Sequence, residues 1–401
     1  MALRISVLVI GLLLLTTTAA AADDAQPSYR IVAYYASWSI YDRQFFVTDI
    51  PADQLTHLNY AFFNISDKGE CVSGDPWADT QFPYPGDQEG EPLLGNFKQL
   101  QLLKQAHPHL KTLMSVGGWS WSDKFSDVAL TAESRARFAR SCIALMQQYG
   151  FDGIDIDWEY PTGGGLDPDA ARPEDTQNFT RLLAELRAQL DALGGSPHYL
   201  LTIAAPANEV QYANIELNKI SAYLDWLNVM TYDFSGAWSA VTGFNAPLHR
   251  DNIASISIAA ENGEGTILGY IKAGVPPEKL VLGVPFYGRG WTGVADTNHG
   301  LYQPYTSILK GTYGDGTIDY HDLADSFIGK TPRYWNDAAQ VPWLYDAATG
   351  TMISYDDAES LAKKAEFVKQ HGLGGVMAWE LSADDPAHTL LNALYDTLRG
   401  G

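Results

Sequence analysis

The sequence predicts a (β/α)8 TIM barrel with a small α+β insertion between strands 7 and 8, and three observations carry that prediction. Short apolar, β-branched runs recur eight times along the 401 residues. Segments with apolar residues at helical spacing lie between them. The runs are apolar at nearly every position, as strands covered on both faces by helices must be. Such an alternation closes into a barrel or opens into a doubly wound sheet, and eight strands favour the barrel.

The elements follow in order. The first 22 residues read as an export signal. Arg4 supplies positive charge, Ile5 to Leu15 an apolar core, and Ala20-Ala21-Ala22 a small-residue cleavage site before Asp23. Thr16-Thr17-Thr18 interrupt the run well short of the ~20 apolar residues that span a bilayer. The expected product is secreted or periplasmic, with the barrel occupying 28–401. Strands are expected at Arg30–Ala36, His57–Asn64, Leu110–Val116, Gly150–Asp157, Tyr199–Ala204, Trp226–Thr231, Lys279–Pro285 and Gly374–Trp379. Glu133–Tyr149, Asp175–Leu193 and Asp356–His371 read as helices. The last opens on Asp356-Asp357 and stops at Gly372, an N-cap and a C-cap in the right order. Residues 292–355 are rich in Gly, Tyr and Asp and lack a long helical pattern. They read as the α+β insertion, rising from the strand C-termini to wall a cleft.

Composition narrows the ligand. Asp plus Glu number 48 against 26 Lys plus Arg, a formal charge of −22. Phosphate backbones and acidic lipid surfaces repel such a polyanion, so neither nucleic acid nor membrane is an expected partner. The 11 Trp and 22 Tyr suit a ligand with flat, weakly polar faces, and sugars are one such class. Cys71 and Cys142 are too few for a disulfide framework or a zinc cage. One bridge, or two separate buried thiols, fits equally. His107-Pro108-His109 has metal-like spacing, but Pro108 breaks regular geometry and no carboxylate cluster flanks it. A surface turn and no metal are expected. Gly288-Arg289-Gly290-Trp291-Thr292-Gly293 fits the dinucleotide fingerprint, yet no helix pattern follows, so no cofactor is expected. Asn64-Ile65-Ser66 and Asn178-Phe179-Thr180 are glycosylation sequons, meaningful only in a eukaryotic host.

The chemistry concentrates in Phe151-Asp152-Gly153-Ile154-Asp155-Ile156-Asp157-Trp158-Glu159-Tyr160-Pro161. Strand side chains alternate faces, so Asp155, Asp157 and Glu159 share one face and Ile154, Ile156 and Trp158 the other. The apolar set suits the barrel-to-helix layer, which sends the three carboxylates inward. Burying three acids side by side requires shared protons and hydrogen bonds. It also raises at least one pKa, which keeps a general acid protonated near neutrality. A conventional glycosidase sets two carboxylates across the scissile bond, ~5–5.5 Å apart for retention or ~6.5–9.5 Å for inversion. Asp157 and Glu159 instead stand beside each other on one strand. Glu159 can protonate a leaving oxygen, but Asp157 is badly placed to attack the anomeric carbon. Something else must stabilise the oxocarbenium ion, and an acetamido group on the sugar is able to do so.

At these residues the chain resembles family 18 glycoside hydrolases, the chitinases, whose Asp, Asp, Asp, Glu signature matches Asp152, Asp155, Asp157 and Glu159. Ser115-Val116-Gly117-Gly118-Trp119 is similar to the family's third-strand motif and Met230-Thr231-Tyr232-Asp233-Phe234 to its sixth. Gly283–Trp291 is similar to its seventh, Met377-Ala378-Trp379-Glu380 to its eighth, and the insertion to that of bacterial deep-cleft members. The resemblance implies retaining, substrate-assisted hydrolysis of β-1,4 bonds between N-acetylglucosamine units through an oxazolinium intermediate. It implies Glu159 as acid/base, Asp157 as the group orienting the N-acetyl, Asp155 as its partner and Tyr232 as the phenol on the acetamido oxygen. Met230 and Asp233 share that pocket, and Gly118 and Tyr160 belong with them in the substrate-binding set. Trp379 and Tyr34 are implied as the floor under the reacting sugar, Arg289 and Tyr287 as contacts from the seventh strand. Trp38, Trp119 and Trp238 are implied at outer subsites. Ala61-Phe62, Glu159-Tyr160 and Trp379-Glu380 are implied to be cis. The expected partner is chitin or N-acetylglucosamine oligomers, acted on by a monomer. Two other readings remain: a same-family hydrolase of the chitobiose core of N-glycans, and a catalytically dead chitin-binding lectin. The insertion and outer tryptophans favour a polymeric ligand, and the intact Asp155, Asp157, Glu159 and Tyr232 set disfavours a lectin.

Overall fold

The computed structural model describes residues 29–88, 90–194, 198–251, 253 and 261–400. The expected leader, residues 1–22, lies outside them. Eight parallel strands form the barrel: β1 Arg30–Ala36, β2 His57–Ile65, β3 Lys111–Gly117, β4 Gly153–Asp157, β5 Leu200–Pro206, β6 Trp226–Met230, β7 Leu280–Pro285 and β8 Gly375–Trp379. Each pairs with the next in chain order, and β1 pairs with both β2 and β8, so the ring is closed. The open-sheet alternative is thereby excluded. β4 starts later than the apolar run suggests because Gly150 closes the preceding helix, Ala132–Tyr149, in the left-handed region at φ 78°. The helix Ala358–Gln370 opens on Asp357, whose carboxylate accepts the N–H groups of Glu359 and Ser360.

The pleat of β4 sorts its side chains. Ile154 and Ile156 are fully buried in the layer between barrel and helices, where Trp158 stacks on Phe125 at 5.4 Å and meets Phe179 edge-on. Asp155 and Asp157 point the other way, into the barrel beside Tyr34, Trp226 and Met377. Burial of the apolar face fixes the register, since a slip of one residue would exchange the two sets.

A second, antiparallel sheet stands between β7 and β8. Its strand Tyr287–Thr292 pairs with Ser307–Ile308 and Thr317–Asp319, and with Thr351–Ser354, which continues through Val341–Asp346 to Arg333–Asn336. Trp291, Tyr302, Trp343, Tyr345 and Met352 give it a core of its own. The sheet takes in residues before 292 because Gly288 and Gly290 let neighbouring chain come close. A Cβ at Gly288 would lie 2.6 Å from the Ser354 carbonyl, and one at Gly290 2.8 Å from the Leu309 side chain. The fingerprint-like glycines therefore serve sheet packing, and the segment is a strand with no helix after it.

Cys71 and Cys142 are bridged, with Cα atoms 5.0 Å apart. The bond ties the short strand Cys71–Ser73, which extends β2 antiparallel, to the helix Ala132–Tyr149. His107 and His109 lie in a turn against Asp53 and the Ala52 carbonyl. Asn178 is 2% exposed on its helix, so that sequon is closed to a glycan in the folded chain.

Candidate active site

Five barrel strands converge on one carboxylate. Asp155, closed off from solvent, accepts hydrogen bonds from Tyr34 Oη at 2.6 Å, Asn59 Nδ2 at 2.8 Å, Ser115 Oγ at 2.9 Å, Asn228 Nδ2 at 3.3 Å and Thr202 Oγ1. These come from β1, β2, β3, β6 and β5, and every donor is neutral. Trp226 Nε1 donates to Asn228 Oδ1 at 2.9 Å, which turns the Asn228 amide hydrogens toward Asp155. Asp157 stands above it, 3.5 Å from the Tyr34 hydroxyl. Burial first, then the charge and hydrogen bond of Asp155 and the charge of Glu159, push the Asp157 carboxyl well above the usual range.

Glu159 follows at the mouth. Burial pushes its carboxyl up to about 7; a hydrogen bond with Tyr160 opposes this and the Asp233 charge adds to it. A carboxyl that titrates near 7 can give and take a proton at neutral pH. The half-buried Tyr160 and the buried Tyr232 are phenols that desolvation pushes well above their ordinary pKa, so both stay protonated donors. Among the described residues the only hydrogen-bond partner of the Tyr232 hydroxyl is the Met377 sulfur, at 4.0 Å. That leaves the phenol able to serve an incoming group.

Asp152 parts company with the other three acids. It lies before β4, pairs with Lys104 at 2.6 Å and accepts the Thr112 N–H at 2.8 Å, a structural link outside the column.

Aromatic rings extend the site outward. Trp379, at the end of β8, stacks on Phe62 at 5.5 Å and 19°, and Phe62 meets Trp38 at 6.1 Å. Trp38 is 41% exposed. Phe62 was not singled out from sequence, because an aromatic within a strand run reads as core. Tyr34, expected in the floor beside Trp379, is instead 1% exposed and lies beneath it, with its hydroxyl held by Asp155. Its burial and its bond to Asp155 make it a support for the carboxylates, whereas Trp379 is half-buried at the end of β8.

Across the mouth, Trp119 and Trp238 are exposed in the loops after β3 and β6. Arg289 lies 5.1 Å from the Trp238 ring and 5.2 Å from that of Tyr287, and pairs with Asp233 at 2.6 Å. Asp233 sits in the left-handed region at φ 59°, three residues after the half-buried Met230 and held by Asn245 Oδ1 on its N–H. Gly117 and Gly118 are required by close approach. A Cβ at Gly117 would lie 2.6 Å from the Asp157 carbonyl, and one at Gly118 2.6 Å from the Phe62 ring. The peptides Ala61-Phe62, Glu159-Tyr160 and Trp379-Glu380 are cis.

Comparison with known proteins identifies relatives of this chain. Residues 30–384 match the model of glycosyl hydrolases family 18. Chitinase A1 of Niallia circulans is 46% identical over 417 residues, covering 94% of this chain and 60% of its own length. The chain thus spans under two thirds of that relative. Endochitinase 1 of Metarhizium robertsii is 39% identical over 358 residues, 88% of this chain and 80% of its own. Chitinase ChiA74 from Bacillus thuringiensis has a similar structure, with a TM-score of 0.88 at 42% identity over 93% of this chain and 70% of that one. The catalytic domain of psychrophilic chitinase B from Arthrobacter TAD20 gives 0.86 at 33% identity, over 93% and 96%.

Proposed function

The chain belongs to glycosyl hydrolases family 18, and from that premise we propose that it is a secreted chitinase. It cleaves β-1,4 bonds between N-acetylglucosamine units with retention. The observation that carries this reading is the column of acids, in which Asp155 takes only neutral donors among the described residues, with Glu159 poised near 7 at its mouth. Glu159 gives its proton to the leaving glycosidic oxygen. Asp157, the acid beside it, rises from the same strand, and Asp233, whose charge reaches Glu159 from the loop after β6, is paired with Arg289. The nucleophile is the substrate's own acetamido carbonyl, which closes onto the anomeric carbon as an oxazolinium ion. Asp157 orients the acetamido N–H, Asp155 holds Asp157, and the Tyr232 hydroxyl steadies the acetamido oxygen. Water then adds to the anomeric carbon from the face the leaving group vacated and returns a proton to Glu159. Two inversions at one carbon give net retention.

Trp379 forms the floor under the reacting ring, with Met230, Asp233, Tyr160 and Gly118 around it and Tyr287 and Arg289 at its side. Trp38, Trp119 and Trp238 take sugars farther out, and the 292–355 insertion raises one wall of the cleft on the 28–401 barrel. The Cys71–Cys142 bridge supports export, since such bonds persist in oxidising compartments. The test offers the protein three substrates: N-acetylglucosamine oligomers, a glycopeptide with a chitobiose core, and fully deacetylated chitosan. Cleavage of the oligomers alone, with the β-anomer released first, is expected. A covalent sugar ester trapped on Asp157, or cleavage of deacetylated chitosan at the oligomer rate, would overturn the mechanism.

A further inference from the structure

Three backbone groups at the ends of two adjacent barrel strands meet on one hydroxyl. Ser122 lies in the loop after β3, the loop that also carries Trp119. Its Oγ is 2.8 Å from the Gly118 carbonyl and 3.0 Å from the Asp157 carbonyl, and it accepts the Glu159 N–H at 2.9 Å. The Asp157 carbonyl also accepts the Gly118 N–H at 2.8 Å. One hydroxyl has one proton and two lone pairs, so it serves the two carbonyls in turn while holding the N–H continuously. Ser122 is buried, and a hydrogen bond out of water's reach holds its geometry more firmly. On the other side of Glu159 the chain is equally confined. A Cβ on Gly165 would lie 1.9 Å from the Glu159 carbonyl oxygen, so only glycine allows the loop after β4 to press there. Between the two loops runs a small cavity lined by Trp119, Ser122, Asp123, Glu159 and Leu166.

We propose that Ser122 is a positioning residue that aims Glu159 and sets it in register with Trp119. It touches no reacting atom. The proposal rests on the reading of Glu159 as the acid. Proton transfer needs the carboxyl within ~2.6–3.2 Å of the leaving oxygen. Misplacement by about 1 Å costs on the order of 100-fold in rate. Without the hydroxyl, the Glu159 N–H faces the cavity unpaired and the Trp119 loop keeps only the Gly118 N–H bond to the Asp157 carbonyl as its tie to β4. The floor of Trp379, Phe62 and Trp38 hangs on β8, β2 and the segment after β1 and makes no bond to the Ser122 hydroxyl, so the sugar stays bound while the acid loses its aim.

The test compares Ser122→Ala, Ser122→Thr and Glu159→Gln on N-acetylglucosamine tetramer, with binding followed by tryptophan fluorescence. Ser122→Ala should lower kcat roughly 10–100-fold with KM within about threefold, the pattern of an interaction made in the transition state alone. Ser122→Thr keeps the hydroxyl and should recover at least about a third of the parental kcat. An alanine variant with parental kcat would overturn the proposal. So would one that loses tetramer binding together with turnover, because the hydroxyl would then be holding the fold rather than aiming the acid. A threonine variant as slow as alanine also counts against it. If Glu159→Gln is inactive while Ser122→Ala matches the parent, this proposal alone fails. If Glu159→Gln turns over normally, the reading of Glu159 fails and this proposal with it.

Discussion

Asp155 and Asp356 are both closed off from solvent, yet the fold surrounds the two carboxylates in opposite ways. Asp356 follows the antiparallel sheet and meets Lys364 Nζ at 2.6 and 2.7 Å, with Ser360 Oγ at 2.7 Å. A cation on the next helix answers its charge. Asp155 receives five neutral donors and no cation, and its nearest acid is Asp157. Neutral donors can satisfy lone pairs without expelling a proton, whereas an ammonium would favour full ionisation. The difference separates a buried acid paired to hold structure together from one that five strands fix beneath Asp157.

The largest break in this comparison comes from the column itself. Glu159→Gln preserves shape and removes the proton, so kcat on N-acetylglucosamine oligomers should fall by roughly 10²–10⁴-fold. Oligomer affinity, measured by calorimetry, should stay near the parental value. A variant above a tenth of the parental rate would remove Glu159 from its role.

The opposite response is expected at Asp356. Lys364→Met leaves a buried carboxylate without its cation, and breaking such a pair costs about 3–5 kcal/mol. Urea unfolding measures this, while kcat per folded molecule should not change. Replacing both partners, Asp356→Leu with Lys364→Met, should restore most of the loss, because well-packed apolar side chains avoid the desolvation cost. A double variant as unstable as the single would show that the pair is not the unit.

A smaller effect tests how the column is held. Tyr34→Phe deletes one of the donors on Asp155, and a hydrogen bond to a charged group is worth about 1.5–3 kcal/mol. Because Asp155 stands under the reacting groups, the loss should appear chiefly as a ~10–100-fold drop in kcat. A change in KM alone would place Tyr34 back in the sugar floor.

Legibility in the sequence followed physical periodicity. The inward face of β4 was readable because a strand alternates with period two and its apolar half needed a core. Burial of a single ring has no such signature, so Tyr34 and Trp379 looked equivalent although Tyr34 is closed off and Trp379 half-buried. Phe62 hid among the apolar residues of β2. Ser122 sits in a loop, where no spacing announces that one hydroxyl will join three backbone groups. Asp152 shares a motif with Asp155 but falls one step before the strand, which sends it to Lys104. Two cysteines 71 residues apart could not reveal their bridge until the hairpin after β2 met the helix Ala132–Tyr149.

The smallest expected effect concerns stability and pH. Burial pushes Glu159, Glu380 and Asp79 up to about 7, and Asp384 up to about 6. A carboxyl whose folded pKa exceeds its unfolded value binds protons more tightly in the folded chain. Its contribution is complete below the unfolded value of ~4 and is lost as pH rises through the folded value. Stability should therefore fall between pH 4.5 and 8, by at most about 1.4 kcal/mol per pH unit for each such group. Asp87 and Glu91, held below the usual range by Lys98, act in the other direction but only at more acid pH. Glu159→Gln should flatten the slope by one group's share. Lys364→Met should steepen it, because burial already holds the Asp356 carboxyl above its usual range and the variant removes the ammonium that opposes that shift, so protonation then relieves its isolation. The loss in Lys364→Met should accordingly be smaller at pH 5 than at pH 8. Urea titrations of parent and variant at the two pH values decide the matter. An equal loss at both would mean that Asp356 stays ionised without its cation, and the contrast with Asp155 would not rest on the ammonium.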